Sequence, residues 1–117
     1  CALFALLKAL PEKKNFCHGD FNPSNVISAE DGEAVLLDFS HAAAGDPLID
    51  AAVTYLYFEV KNAHGAAETY LEAYANKSGE ESVKAEIKKR LPLAAALLIL
   101  RANEEERELL LPVVKSI

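Results

Sequence analysis

The spacing of apolar and polar positions changes period near residue 46. Before it, short apolar pieces broken by Gly, Pro, Asn and Asp read as strands at 15–18, 26–28 and 34–38. Asp31-Gly32, between the last two, is a hairpin turn signal. From Pro47 onward the apolar positions recur at helical spacing, with Pro in the first turn and Asp46 placed to cap it. Helical segments are predicted at 47–60, 64–77, 80–91 and 92–115, the last broken near Asn103, with joints at Gly65, Gly79 and Pro92. Residues 91–100 are apolar on every side, which predicts a helix buried in the middle of a bundle. Residues 80–90 and 104–108 alternate charges as exposed faces do. Tyr55, Tyr57, Phe58, Tyr70 and Tyr74 fall at packing positions, with one or two available to line a pocket. The pattern predicts an α+β, mostly helical fold: a small β-hairpin beside a bundle of about four helices.

The 117 residues, 51% hydrophobic and 26% charged, suffice for one domain with an ordinary core. No apolar run reaches the roughly 20 residues of a membrane span, and the apolar start lacks the basic flank and cleavage site of a secretory signal. A cytoplasmic protein with no membrane partner is expected. Cys1 and Cys17 could pair only once, and Cys17, inside an apolar run, reads as a free buried thiol of a reducing compartment. A net charge of -6 argues against nucleic-acid binding, which needs a clustered basic face. Between Asn15 and Val60 there is no Lys or Arg, while Asp20, Asp38, Asp46 and Asp50 all fall there. Such a segment repels phosphate unless a cation intervenes, so it is either a solvated surface or a place where metal ions gather. With no methionine anywhere, the chain reads as a fragment.

Within this acidic stretch residues 18–25 read H-G-D-F-N-P-S-N, and Asp38 closes an apolar run. Asp20, beside a Gly, lies on backbone that can approach a ligand closely. Asn25 and Asp38, returned to one place by the hairpin, offer hard oxygen ligands of the kind that suit Mg²⁺. Phosphoryl transfer needs these parts: a carboxylate to take the proton of an attacking hydroxyl, and metal ions to neutralise phosphate. Asp20 would be the catalytic base, with Asn25 and Asp38 as metal and cofactor ligands.

The octapeptide resembles the catalytic loop of the aminoglycoside phosphotransferase and choline kinase superfamily, H-G-D-x-x-x-x-N. The later L-L-D-F-S-H-A-A-A-G-D-P-L-I-D-A-A is similar to that family's second block, its acidic positions being Asp38, Asp46 and Asp50. With the residues between them, the blocks span about a third of the chain. The resemblance implies a kinase-like C-terminal lobe over 1–117, with ATP as co-substrate, Mg²⁺ as cofactor and a hydroxyl of a small molecule as acceptor. It also implies that His18 braces the loop and that Asp50 accepts hydrogen bonds from its backbone. Asp46 is read as a helix cap in structural support. Phe39 and Ser40 stand where the family commonly has Trp and Glu. Neither the phosphate-covering loop nor the strand lysine of an N-terminal nucleotide-binding lobe is present, so that lobe is expected to be missing and the chain alone inactive or nearly so.

Blander readings stand beside these. Asp is also a common turn residue at position 20, Asn25 closes an Asx-turn as readily as it binds metal, and Asp38 equally serves to end a strand. Asn22 and Ser24 are either turn formers or ligand contacts, and His41 and His64 carry no pattern. Two other functions are weighed: a kinase-derived binding or regulatory domain that no longer catalyses, and a metal-dependent hydrolase built on Asp20, Asp38 and His18.

Overall fold

A computed structural model describes residues 2–116. Helix α1 (Ala2–Ala9) precedes four short strands, β1 (Asn15–Cys17), β2 (Val26–Ser28), β3 (Ala34–Leu36) and β4 (Ala43–Gly45). Among the described residues five helices follow: α2 (Pro47–Val60), α3 (His64–Ser78), α4 (Val83–Lys89), α5 (Leu91–Ile99) and α6 (Glu104–Val114). The fold is α+β and mostly helical, with more helices than the sequence pattern predicts.

β2 and β3 form the expected hairpin, Val26 opposite Leu36 and Ser28 opposite Ala34. Its turn uses Gly32 at φ +84°, a conformation that favours glycine, and the Asp31 side chain accepts from the Glu33 N–H at 3.0 Å. β1 pairs antiparallel with β4, Phe16 facing Ala44. The pattern does not predict β4, because Ala-Ala-Gly carries no β-branched or aromatic residue; its partner β1 makes it a strand. Both flanking strands end early, at Cys17 and Leu36, so His18 and Asp38 lie just past strand ends. α1 also lies where no element is predicted.

Asp46 caps α2 as expected, accepting from the Leu48 N–H at 2.9 Å, with Pro47 in the first turn. Gly65 is inside α3 rather than at a joint; Asn62, at φ +59°, makes that turn. Gly79 ends α3 in the left-handed region. Pro92 sits in the first turn of α5, where its missing N–H costs nothing. The predicted break at Asn103 is the start of α6, where Asn103 and Glu106 cap each other's backbone N–H groups.

The buried central helix is α2. Six successive residues from Ala51 to Leu56 are buried, so neighbours surround it. Leu71, Ile87 and Leu110 are fully buried in the same core. α5 departs from its predicted burial: Pro92–Ala95 are buried, but Leu97 and Leu100 are exposed, Leu100 at 78%. Its small alanines pack inside the core while its far end runs off it. The charged stretch 80–90 also departs at its last residue, since Arg90 is buried against Asp46. Cys17 is a half-buried free thiol, and burial, with the charges of Asp50 and Asp46, pushes it up from the ordinary thiol range. Cys1 lies outside the described residues. No helix among the described residues is long and apolar enough to cross a membrane.

Candidate active site

The chain leaves β1 at Cys17 and turns at once. Gly19 has φ +85°, and a side chain there would collide with the His41 backbone. α2 receives the turn from below. Asp50, in its first turn, accepts the His18 N–H on Oδ2 at 3.2 Å and the Gly19 N–H on Oδ1 at 2.9 Å. One helical turn later, the buried Thr54 hydroxyl donates to the Phe21 carbonyl at 2.6 Å. Residues four apart on a helix share a face, so this pair holds the loop from one side.

His18 is buried and used at both ring nitrogens. Nε2 donates to the Leu37 carbonyl at 2.8 Å, and Nδ1 accepts from the Asp20 N–H at 3.1 Å. A carbonyl only accepts and an amide N–H only donates, so the ring is the neutral tautomer protonated on Nε2. Phe39 packs over this ring with centroids 4.7 Å apart.

Two amides grip Asp20. Asn22 donates to Oδ1 at 3.0 Å and Asn25 donates to Oδ2 at 3.0 Å, and both also donate to the Asp20 carbonyl. Asn22, itself buried, accepts from the N–H and hydroxyl of Ser24, which fixes which way its amide faces. The carboxylate nonetheless keeps a 29% exposed side chain. It is oriented by its own loop and open to solvent on one side.

The hairpin ladder continues past its last strand pair, the Leu37 N–H donating to the Asn25 carbonyl at 2.7 Å. That bond brings Asp38, the next residue, to the end of the ladder beside Asn25. Asp38 has φ +53°, which Asp tolerates better than most side chains. Ser40 donates to Oδ1 from its hydroxyl at 2.6 Å and its N–H at 3.2 Å. These bonds, hydroxyl first, hold the Asp38 carboxyl below the usual range. Its Oδ2 and the Asn25 Oδ1 have no hydrogen-bond partner among the described residues. The donor set is therefore two unpartnered hard oxygens, one anionic, of the kind that suits Mg²⁺ completed by water and phosphate. No cluster of three or more His, Cys, Asp or Glu able to hold a metal occurs among the described residues. His18 has no free lone pair to offer one.

The residues singled out in the sequence thus fall into three places. His18, Asp20, Asn25 and Asp38 gather at the loop and hairpin end, with Asp50 beneath them. Asp46 stands apart at the start of α2, where Oδ2 accepts from Arg90 Nε at 2.8 Å. Of the helical aromatics, Phe58 and Tyr70 line a cavity of about 470 Å³ beside the loop, together with Phe21, Asn22 and Pro23. Burial pushes the Tyr70 hydroxyl up to about 12, so it stays protonated. Three contributors escaped the sequence reading: Thr54, Arg90 and Arg101. Thr54 carried one signal, its four-residue spacing from Asp50. Arg101 carried none, yet its Nη2 donates to the Gly19 carbonyl at 2.7 Å.

The loop that carries the Asp20 carboxylate is thus seated on one buried helix through Asp50 and Thr54. Residues 2–85, which include the whole loop, the hairpin and α2, match the family model described as the phosphotransferase enzyme family, APH, and the chain belongs to that family. No curated protein and no solved structure matches it.

Proposed function

We propose that this chain is the base and metal-binding part of a kinase-like C-terminal lobe that moves the γ-phosphate of ATP to a hydroxyl of a small molecule of the aminoglycoside, choline or sugar type. The observation that carries the reading is the Asp20 carboxylate, oriented by Asn22 and Asn25 and still open on one side. In that setting Asp20 accepts the acceptor's hydroxyl proton as the oxygen attacks phosphorus. Asn25 Oδ1 and Asp38 Oδ2 would hold Mg²⁺, which when bound neutralises phosphate charge. His18, Asp50 and Thr54 keep the loop in place without touching substrate.

The grip on ATP is assigned to an N-terminal lobe outside residues 1–117. Two features support this. No Lys or Arg occurs between Asn15 and Val60 to hold phosphate. The strand side also exposes Phe16, Ile27, Val35, Leu36 and Phe39, apolar surface suited to a covering lobe.

The test is Asp20→Asn in the whole protein, with phosphate transfer followed by ³¹P NMR over a panel of hydroxyl compounds. The amide keeps the shape but cannot take a proton, so turnover should fall about 10²- to 10⁴-fold with folding unchanged. Full turnover in this variant would leave the non-catalytic binding domain as the better reading.

A further inference from the structure

Arg101 lies just beyond α5, outside the residues that match the family model, yet it reaches the loop that carries the base. Its guanidinium does two things there. Nη2 donates to the Gly19 carbonyl at 2.7 Å, and Nη1 stands 3.9 Å from Asp20 Oδ1. The Gly19 carbonyl belongs to the peptide that joins Gly19 to Asp20, so the first contact fixes the backbone on which the base is mounted. The same glycine is held at its N–H by Asp50, which leaves it pinned on both sides.

The other polar partners of the Asp20 side chain, Asn22 and Asn25, come from within the loop and would move with it. Asp50 and Thr54 bind backbone from α2. Arg101 is the one cation among the described residues within ion-pair distance of Asp20. At 3.9 Å it attracts the carboxylate without donating a hydrogen bond to it, so Oδ1 keeps a lone pair for a proton. A guanidinium suits this double task because its planar fork presents donors in fixed relative positions.

We propose that Arg101 is a positioning residue for the base: a tether from the α5–α6 corner that sets the height of the Gly19–Asp20 peptide and draws the carboxylate toward the reacting hydroxyl. The proposal rests on the reading of Asp20 as the base. It assigns the C-terminal helices a part in catalysis beyond scaffolding.

The experiment compares wild type, Arg101→Ala, Arg101→Lys and Asp20→Asn in the whole protein. It reads Mg²⁺-dependent ATP turnover, with water or an added hydroxyl compound as acceptor, and hydrogen–deuterium exchange across residues 18–25, which needs no substrate. Arg101→Ala should lower kcat about 10- to 100-fold, the scale of a small misplacement of a catalytic group, and leave KM for ATP within about twofold. Exchange across 18–25 should quicken while α3 keeps its protection. Arg101→Lys should recover part of the loss, because one ammonium can bond the Gly19 carbonyl without spanning to Asp20. Turnover of Arg101→Ala within twofold of wild type, a loss confined to KM, or unchanged exchange at 18–25 would overturn the tether, provided Asp20→Asn is inactive. If Asp20→Asn keeps full turnover, the base assignment fails, and the tether with it. Should Arg101→Ala not fold, Arg101→Lys decides by the same readouts.

Discussion

Asp38 shows how little of a side chain's behaviour is set by its type. It sits in a left-handed backbone conformation at the end of the hairpin ladder, fully solvated, yet two donors from Ser40 stabilise its charged form. A hydrogen bond that favours the anion lowers the carboxyl below the roughly 3.9 of a free Asp. The carboxylate therefore persists to lower pH than it would without Ser40. In a carboxyl-detected NMR titration the Asp38 midpoint should lie below the free value. Ser40→Ala should raise it back toward about 3.9, because the largest contribution is the hydroxyl. Equal midpoints in the two proteins would mean that Ser40 does not set the charge. Asp38 is exposed, so the shift bears on ligand charge and is assigned no share of folding stability.

At the scale of elements the decisive piece is α2, which presents Asp50 and Thr54 on one face to the loop and buries most of its remaining surface. Thr54→Val keeps the shape of the side chain but removes the donor to the Phe21 carbonyl. A part-buried carbonyl left unpaired costs about 1 kcal/mol, measurable by urea unfolding. Thr54→Ser should lose less, since it retains the hydroxyl; an equal loss in both variants would point to the methyl group and its packing. The limits of the sequence appear here too. The hairpin, the Asp46 cap and the Asn103 break were legible because each depends on residues a few positions apart. So was the loop motif, whose spacing within eight residues brings Asn22 and Asn25 onto Asp20. Thr54 to Phe21, Arg90 to Asp46 and Arg101 to Gly19 join positions 33, 44 and 82 residues apart, and no local pattern announces such contacts. β4 escaped for a related reason: its three small residues become a strand only beside β1. Burial of α5 was over-read because periodicity reports how apolar a face is, and the end of the neighbouring core is set by other helices.

For the whole molecule, the Arg90–Asp46 pair ties the α4–α5 corner to the helix that seats the loop. Both side chains are nearly buried, at 4% and 9% exposure, and Arg90 also donates to the Glu86 carbonyl at 2.7 Å. The Glu86 carboxylate is half exposed, so its share of the network is discounted. Replacing Arg90 by Met fills similar space but leaves the Asp46 charge buried without its partner. Breaking a buried pair from one side costs roughly 3–5 kcal/mol, a large part of the 5–15 kcal/mol that holds an ordinary domain together. The double variant Arg90→Met with Asp46→Asn removes the stranded charge, and Asn still accepts from the Leu48 N–H to cap α2. Denaturant unfolding should therefore order the proteins as wild type, then the double variant, then Arg90→Met. A single variant within about 1 kcal/mol of wild type would show that the pair contributes no more than a surface contact does. The same substitution should reach the site, because Asp46 starts the helix whose next residues include Asp50. If α2 loses its anchored end, the N–H groups of His18 and Gly19 lose a fixed acceptor, and exchange there should quicken even under conditions where the protein remains folded.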